Sequence, residues 1–270
     1  MKPWHRIALF SLFAFAGCAG TTAEVARSEI RGETVTYQAG GKSCTGYLCY
    51  DAERKGRRPG VLVVHEWWGH NDYVRERAKM LAGMGYVALA VDMYGDGKQA
   101  GHPQDAQKFS SEVFANMDAA TARFRGAEDL LKAHPLTDKD RIAAIGYCFG
   151  GGVVLAMARA GLDLDAVASF HGSLATQTPA RKGAVHARVL VCHGGDDQFV
   201  SAEQVAAFQK EMEDAGVDLE FVTYPGAKHG FTNPQADEYA QRFSLPLGYD
   251  RAADEASWRE LGEFLATTWK

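Results

Sequence analysis

The sequence predicts an α/β architecture, a mostly parallel central sheet covered by helices on both faces, and three observations predict it. Short continuous apolar runs, such as Val61-Leu62-Val63-Val64 and Val87-Ala88-Leu89-Ala90-Val91, recur along the chain. That is the pattern of strands buried on both sides. Segments of helical periodicity alternate with them, which is the signature of a covered parallel sheet. At 270 residues, 46% hydrophobic and 23% charged, the chain has enough apolar side chains for a large core. That balance excludes disorder, collagen and coiled coil.

The elements follow in order. Runs at 33–38 and 43–50 are rich in strand formers and flank Ala39-Gly40-Gly41-Lys42, the turn of an opening hairpin. Pro59 precedes a buried strand at 60–65. A helix over 75–84 stops at Gly85, and 86–91 is again a buried strand. From Asp92 to about Met117 the sequence predicts a long connection with two glycine-spaced turns and His102-Pro103. A helix at 121–133 ends before Pro135, a strand covers 141–145, and a helix runs over 151–160. Strands at 166–170, 187–192 and 219–224 follow, with a helix at 202–215 between the last two. Residues 255–269 close the chain as an amphipathic helix. Neither an internal repeat nor a linker divides 29–270, which reads as a single domain. In such sheets the chemistry lies just beyond the carboxyl ends of the strands.

The first residues read as a targeting segment. Lys2, His5 and Arg6 precede an apolar run over 7–16, too short to span a bilayer but suited to a secretory signal. Two cleavage sites compete. Phe15-Ala16-Gly17-Cys18 resembles a bacterial lipobox, in which Cys18 is lipidated and becomes the first mature residue, whereas Ala14-Phe15-Ala16 is an A-x-A site. The lipobox is preferred, because a Cys directly after small residues at the end of such a run is uncommon by chance. The expectation is a leader over 1–17, a tether over 18–28, and a protein exported in a bacterium. It is then periplasmic or held at the membrane only through its N-terminal lipid. Loss of Lys2 and Arg6 takes the formal charge from -5 to -7. The one basic stretch, Arg54-Lys55-Gly56-Arg57-Arg58, reads as a solvated turn, so no nucleic-acid footprint is present.

Cys44, Cys49, Cys148 and Cys192 remain. Cys44 and Cys49 lie five apart on one strand and point to opposite faces, so no bond is expected between them. The absence of C-x-x-C excludes a zinc ribbon or thioredoxin motif.

The strand at 141–145 runs into Gly146-Tyr147-Cys148-Phe149-Gly150-Gly151 and then a helix. This is the G-x-S-x-G nucleophile elbow with Cys in place of Ser. The glycines are required because side chains two residues either side of the nucleophile would strike close-packed backbone. The helix N-terminus behind Cys148 favours a thiolate. The competing reading is a buried structural Cys, and the strand before and helix after favour the elbow. In the α/β-hydrolase order, an acid and then a His follow the nucleophile. The loop after 187–192 holds Asp197, with Asp196 as competitor, and the loop after 219–224 holds His229. A thiol needs a base, and the base needs an orienting carboxylate. His65, His171 and His193 also end strands and read as structural or pocket-lining. His65-Glu66-Trp67-Trp68-Gly69-His70 lacks the helical one-face geometry of H-E-x-x-H, so no metal is required. Glu66 is either a loop cap or a carboxylate placed to accept the thiol proton.

Val64-His65-Glu66-Trp67-Trp68-Gly69-His70-Asn71, Ala90-Val91-Asp92-Met93-Tyr94-Gly95, the elbow, Gly194-Gly195-Asp196-Asp197-Gln198-Phe199-Val200 and the His229 loop occur in one order. Together they resemble the dienelactone hydrolases over nearly the whole mature chain. The resemblance implies an α/β-hydrolase fold and a triad of Cys148, His229 and Asp197. It further implies that Glu66 meets Cys148 in the resting enzyme, and that the backbone N–H groups of Phe149 and Trp67 hold the oxyanion. The family holds a substrate carboxylate with arginines, one shortly after the triad His, and here Gly230-Phe231-Thr232-Asn233-Pro234 contains none. Lys108, Lys228, Arg242 and Arg251 are the available cations. Trp67, Trp68, Tyr94 and Phe149 form either an aromatic pocket or ordinary core.

The expected activity is hydrolysis of a small carboxylic ester or lactone by a cysteine nucleophile, without a cofactor. Two alternatives are a non-catalytic binding protein on this scaffold and a redox sensor in which Cys148 forms a sulfenic acid. For the sensor, Cys192 is the candidate resolving thiol.

Overall fold

Two antiparallel strands open the sheet and six parallel ones complete it. The structure is a computed structural model that describes residues 28–270. The expected leader, Cys18 and all of the tether except Ser28 lie outside the described residues. β1 (Ile30–Ala39) and β2 (Lys42–Asp51) form the hairpin, turning at Gly40 and Gly41, both with positive φ. β3 (Arg58–Val64), β4 (Val87–Val91), β5 (Thr137–Tyr147), β6 (Ala166–Phe170), β7 (Arg188–Gly194) and β8 (Leu219–Tyr224) follow. The order across the sheet is β1-β2-β4-β3-β5-β6-β7-β8, and every pair from β4 to β8 is parallel. The winding reverses at β3, which pairs with β4 on one side and β5 on the other. Such a reversal opens a crevice at the carboxyl ends of the strands.

Alternation along the strands feeds two cores. On one face α1 (Asp72–Met84) and α7 (Arg251–Thr268) set Val74, Leu81, Leu261 and Phe264 against Val61, Val63 and Ile145. On the other, α3 (Met117–Ala133), α4 (Phe149–Arg159) and α5 (Ala202–Ala215) set Phe124, Leu131, Val153 and Phe208 against Leu62, Val64 and Val189. Cys44 and Cys49 are both buried and unbonded, one in each core, as their odd spacing requires. α1 ends at Gly85, whose φ of 98° lets its N–H cap the last turn. α5 opens on a capping box between Ser201 and Gln204.

The connection expected over 92–117 contains a helix, α2 (Pro103–Ala115). Pro103 starts this helix rather than breaking one, because a proline at the first helical position has no N–H to lose. The His102 ring accepts the Gln104 N–H at 3.2 Å, and Ala106 and Val113 are buried. A second unanticipated helix, α6 (Ala236–Phe243), presents Tyr239 to the Trp68 ring with centroids 4.4 Å apart.

Asp92, buried at the end of β4, ties the turn that follows. Its carboxylate accepts four backbone N–H groups, from Thr45 at 3.0 Å, Tyr94 at 3.1 Å, and Gly95 and Gly97 at 2.8 Å each. Asp92→Asn replaces one acceptor oxygen with an NH2 that faces donors. It is expected to lower unfolding free energy by about 2–3 kcal/mol in a denaturant titration.

Candidate active site

β5 ends at Tyr147 and α4 begins at Phe149, so Cys148 alone makes the turn between them. Its backbone sits at φ 52° and ψ -115°, a conformation L-residues adopt only when their surroundings enforce it. A Cβ on Gly146 would run into the Gly150 carbonyl, and one on Gly150 into the Val64 and His65 carbonyls at the end of β3. Cys148 N–H donates to Phe170 O at 3.0 Å and its own carbonyl accepts from Gly152 at 3.2 Å. The thiol is thereby aimed out of the crevice floor at a helix N-terminus. The N–H groups of Phe149 and Trp67 donate to no protein acceptor among the described residues.

The loops after β7 and β8 bring the partners in. His229 Nε2 lies 3.1 Å from Cys148 Sγ, and His229 Nδ1–H donates to Asp197 Oδ2 at 2.8 Å. Asp197 is buried and its other oxygen accepts Phe199 N–H at 2.8 Å, while Asp196 is exposed. Asp197 rather than Asp196 therefore meets the imidazole. Burial pulls the His229 ring toward neutrality, but Cys148 and Asp197 on its two nitrogens outweigh burial and push it up to about 10.

A buried network sets the His229 loop. Thr232 Oγ1 meets Tyr73 Oη at 2.6 Å and His171 Nε2 at 2.8 Å, and Arg77 donates to Thr232 O and Asp254, both at 2.6 Å. Arg77 also lies over the rings of Tyr73, Tyr147 and Trp258. His171 packs 5.1 Å from His229, and burial, then the charges of His229 and Arg77, hold it well below the usual range. It is a neutral wall, not a second base. His65 is also structural, its Nδ1–H donating to Glu66 O at 2.6 Å and its Nε2 accepting Met93 N–H at 3.3 Å. Both nitrogens are thus committed to the backbone.

Glu66 departs from the expectation. Its carboxylate accepts Asn233 Nδ2–H at 2.6 Å, and no hydrogen bond joins it to Cys148. The resting partner of the sulfur here is His229. Burial raises the Glu66 carboxyl to about 7 against the opposing pull of Asn233, His229 and Arg77. Asn233 was visible in the sequence only as a residue where an arginine was sought.

The aromatic residues divide. Trp68, Tyr94 and Phe149 are buried, Trp68 against α6 and the other two around His65. The exposed rings at the site are ones the sequence did not single out as pocket walls. Phe199, 46% exposed, lies 4.8 Å from the His229 ring, and Phe114, 42% exposed, lies 5.4 Å from Phe149. Of the candidate cations, Arg251 is paired with Glu255, Arg242 lies over Phe243, and Lys108 and Lys228 are exposed.

Residues 45–269 match the model of the dienelactone hydrolase family. The chain belongs to that family. Protein usf of Aquifex pyrophilus is 32% identical over 212 residues, covering 77% of this chain and 90% of the relative. The solved structure named m3DLH is 36% identical with a TM-score of 0.83, covering 89% of this chain and 99% of its own. The dienelactone hydrolase-like promiscuous phosphotriesterase P91, from metagenomic libraries, is 34% identical with a TM-score of 0.81. It is matched over 98% of its length and 88% of this chain. Family membership makes this chain an α/β-hydrolase-fold hydrolase of carboxylic esters or lactones acting on small molecules.

A carboxyl whose pKa rises from 4.5 unfolded to about 7 folded stabilises the protein fully below pH 4.5. That contribution is lost as pH rises through 7. Glu66→Gln keeps an acceptor for Asn233 and removes the titration. Its melting temperature is expected to gain on the wild type between pH 4.5 and 7 and to hold that gain above; parallel curves would refute this assignment.

Proposed function

We propose that this hydrolase uses Cys148 as nucleophile, His229 as general base and acid, and Asp197 as the group that orients His229. The carrying observation is the continuous line from Cys148 Sγ through His229 to Asp197, at 3.1 and 2.8 Å. His229 Nε2 takes the thiol proton as sulfur attacks the acyl carbon. The carbonyl oxygen takes the negative charge and is met by the N–H groups of Phe149 and Trp67. On collapse of the tetrahedral intermediate the C–O bond breaks, and His229 Nε2 gives its proton to the departing alkoxide. An acyl thioester on Cys148 remains. Water then loses a proton to His229 and attacks the thioester carbon, releasing the carboxylic acid and restoring the pair. In a lactone the alcohol stays tethered to the acid product.

Phe199 and Phe114 support an apolar group beside the scissile bond. The kinship to P91 adds phosphotriesters to the substrates worth screening. We further infer that the enzyme works outside the cytoplasm, tethered through Cys18. That reading rests on the basic, apolar and Cys-terminated pattern of residues 2–18.

Cys148→Ala is expected to lower ester turnover by at least a thousandfold while leaving the melting curve unchanged. Wild-type turnover of an activated aryl ester should fall in step with iodoacetamide labelling of Cys148, followed by peptide mapping. Activity persisting in Cys148→Ala would overturn the mechanism. A reactive Cys148 without turnover would favour the redox reading, and an inert one the binding-protein reading.

For the anchor, cells expressing the full chain are expected to incorporate labelled fatty acid into it, and cells expressing Cys18→Ser are not. Equal labelling of both would exclude Cys18 as the site.

A further inference from the structure

We propose that the pocket lined by Lys42, Lys98 and Arg123 is a binding site for the carboxylate or phosphate head group of a small molecule. The pocket has a volume of about 30 Å³, opens to solvent, and is also lined by Tyr94, Phe109, Glu112 and Val113. It is separate from the crevice that holds Cys148. The three cations come from β2, the loop after β4 and α3, and the fold alone brings them together.

No carboxylate is ion-paired with any of the three among the described residues. Arg123 is 8% exposed, and its one hydrogen bond runs from Nη1 to Met93 O at 2.7 Å. Its Nε is buried without a partner. Lys42 Nζ donates to Tyr94 O at 2.9 Å, and Lys98 Nζ lies 5.8 Å from the centre of the Phe109 ring. Burial, then the charges of Lys98 and Arg123, pull the Lys42 amine below its usual range against Asp96. The nearby carboxylates form no ion pair with these cations. Asp92 is committed to four N–H groups, and Asp96 and Glu112 are exposed.

An unpaired buried guanidinium beside two ammonium groups is an unfavourable arrangement that a bound anion relieves. Its fork suits a carboxylate or phosphate. The volume is enough for about two waters, so a head group enters and the rest of the molecule stays outside. Tyr94 is the wall shared with the catalytic crevice. Its ring packs on Phe109 at 5.5 Å and on Phe149 at 5.4 Å, and its hydroxyl donates to Trp67 O at 2.8 Å. An anion here therefore sits one residue away from both proposed oxyanion donors. It is either the charged tail of a substrate or a separate small anion.

Calorimetric titration of the full chain with inorganic phosphate and with acetate, at constant ionic strength, tests the site independently of any activity. Saturable one-site binding is expected for at least one of them. Lys98→Gln should weaken it on the order of tenfold, by loss of one charge-assisted contact. Glu112→Gln should tighten it, because it removes the one carboxylate at the rim. Both residues are exposed, so neither variant threatens the fold.

A matched pair of aryl esters, one neutral and one ending in a carboxylate, then distinguishes the sources; this arm alone rests on the hydrolase reading. A KM that rises in Lys98→Gln only for the carboxylate ester assigns the pocket to the substrate tail. A kcat for the neutral ester that responds to added phosphate in the wild type but not in Lys98→Gln assigns it to a separate anion. The proposal falls if neither anion binds saturably and the KM ratio of the two esters is the same in both proteins. It falls equally if Lys98→Gln and Glu112→Gln bind phosphate and acetate as the wild type does.

Discussion

The backbone of one residue governs the catalytic end of this molecule. Cys148 can hold φ 52° and ψ -115° only because α4 is pressed against β3 and β5, glycine to carbonyl, with no side chain between. The sheet core supplies that pressure. Val61 to Val64, Ala143 to Ile145 and Val153 are fully buried, so the turn cannot relax without opening both apolar layers. Strain at Cys148 is thus sustained by packing elsewhere. In return the thiol stands clear of the sheet, with the first N–H of a helix beside it.

The second layer of the site is electrostatic and is built from loops rather than strands. His229 is buried between a sulfur and a carboxylate, and both neighbours raise its affinity for a proton against the cost of burial. A loop residue held that way needs a fixed backbone. Arg77 from α1 provides it, bonding the Thr232 carbonyl and the α7 carboxylate of Asp254 while three aromatic rings cover its guanidinium. One buried cation therefore joins two helices on one face of the sheet to the loop that carries His229. The other face holds a different cationic group, Lys42, Lys98 and Arg123, which has carbonyls and an aromatic ring for neighbours but no ion-paired carboxylate among the described residues. Similar side chains on the two faces thus meet opposite electrostatic fates.

Much of this was legible in the chain. Gly146 and Gly150 around Cys148 stated the elbow, because no other residue fits so close an approach of backbone to backbone. The order of Cys148, Asp197 and His229 followed from their places after successive strands. What failed did so for physical reasons. The connection expected over 92–117 hides a helix, because the missing N–H of Pro103 suits a helix start where His102 caps the turn. Glu66 was assigned to Cys148, but a hydrogen-bond donor two loops away in space, Asn233, claims its carboxylate. Trp68 packs on Tyr239 from a helix the pattern did not reveal, and the two rings together line an open pocket.

The sequence by itself determined the strand and helix alternation, the elbow and the order in which Cys148, Asp197 and His229 follow successive strands. Those depend on local periodicity, on turn sterics and on motif spacing, all of which are written along the chain. Tertiary structure alone decided which groups touch. The choice of Asp197 over Asp196, the pairing of sulfur with His229 rather than Glu66, and the convergence of Lys42, Lys98 and Arg123 depend on segments distant in sequence meeting in space, as Cys148 and His229 do across 81 residues. Ionisation follows the same rule, because desolvation and through-space charge depend on distances that no one-dimensional pattern encodes.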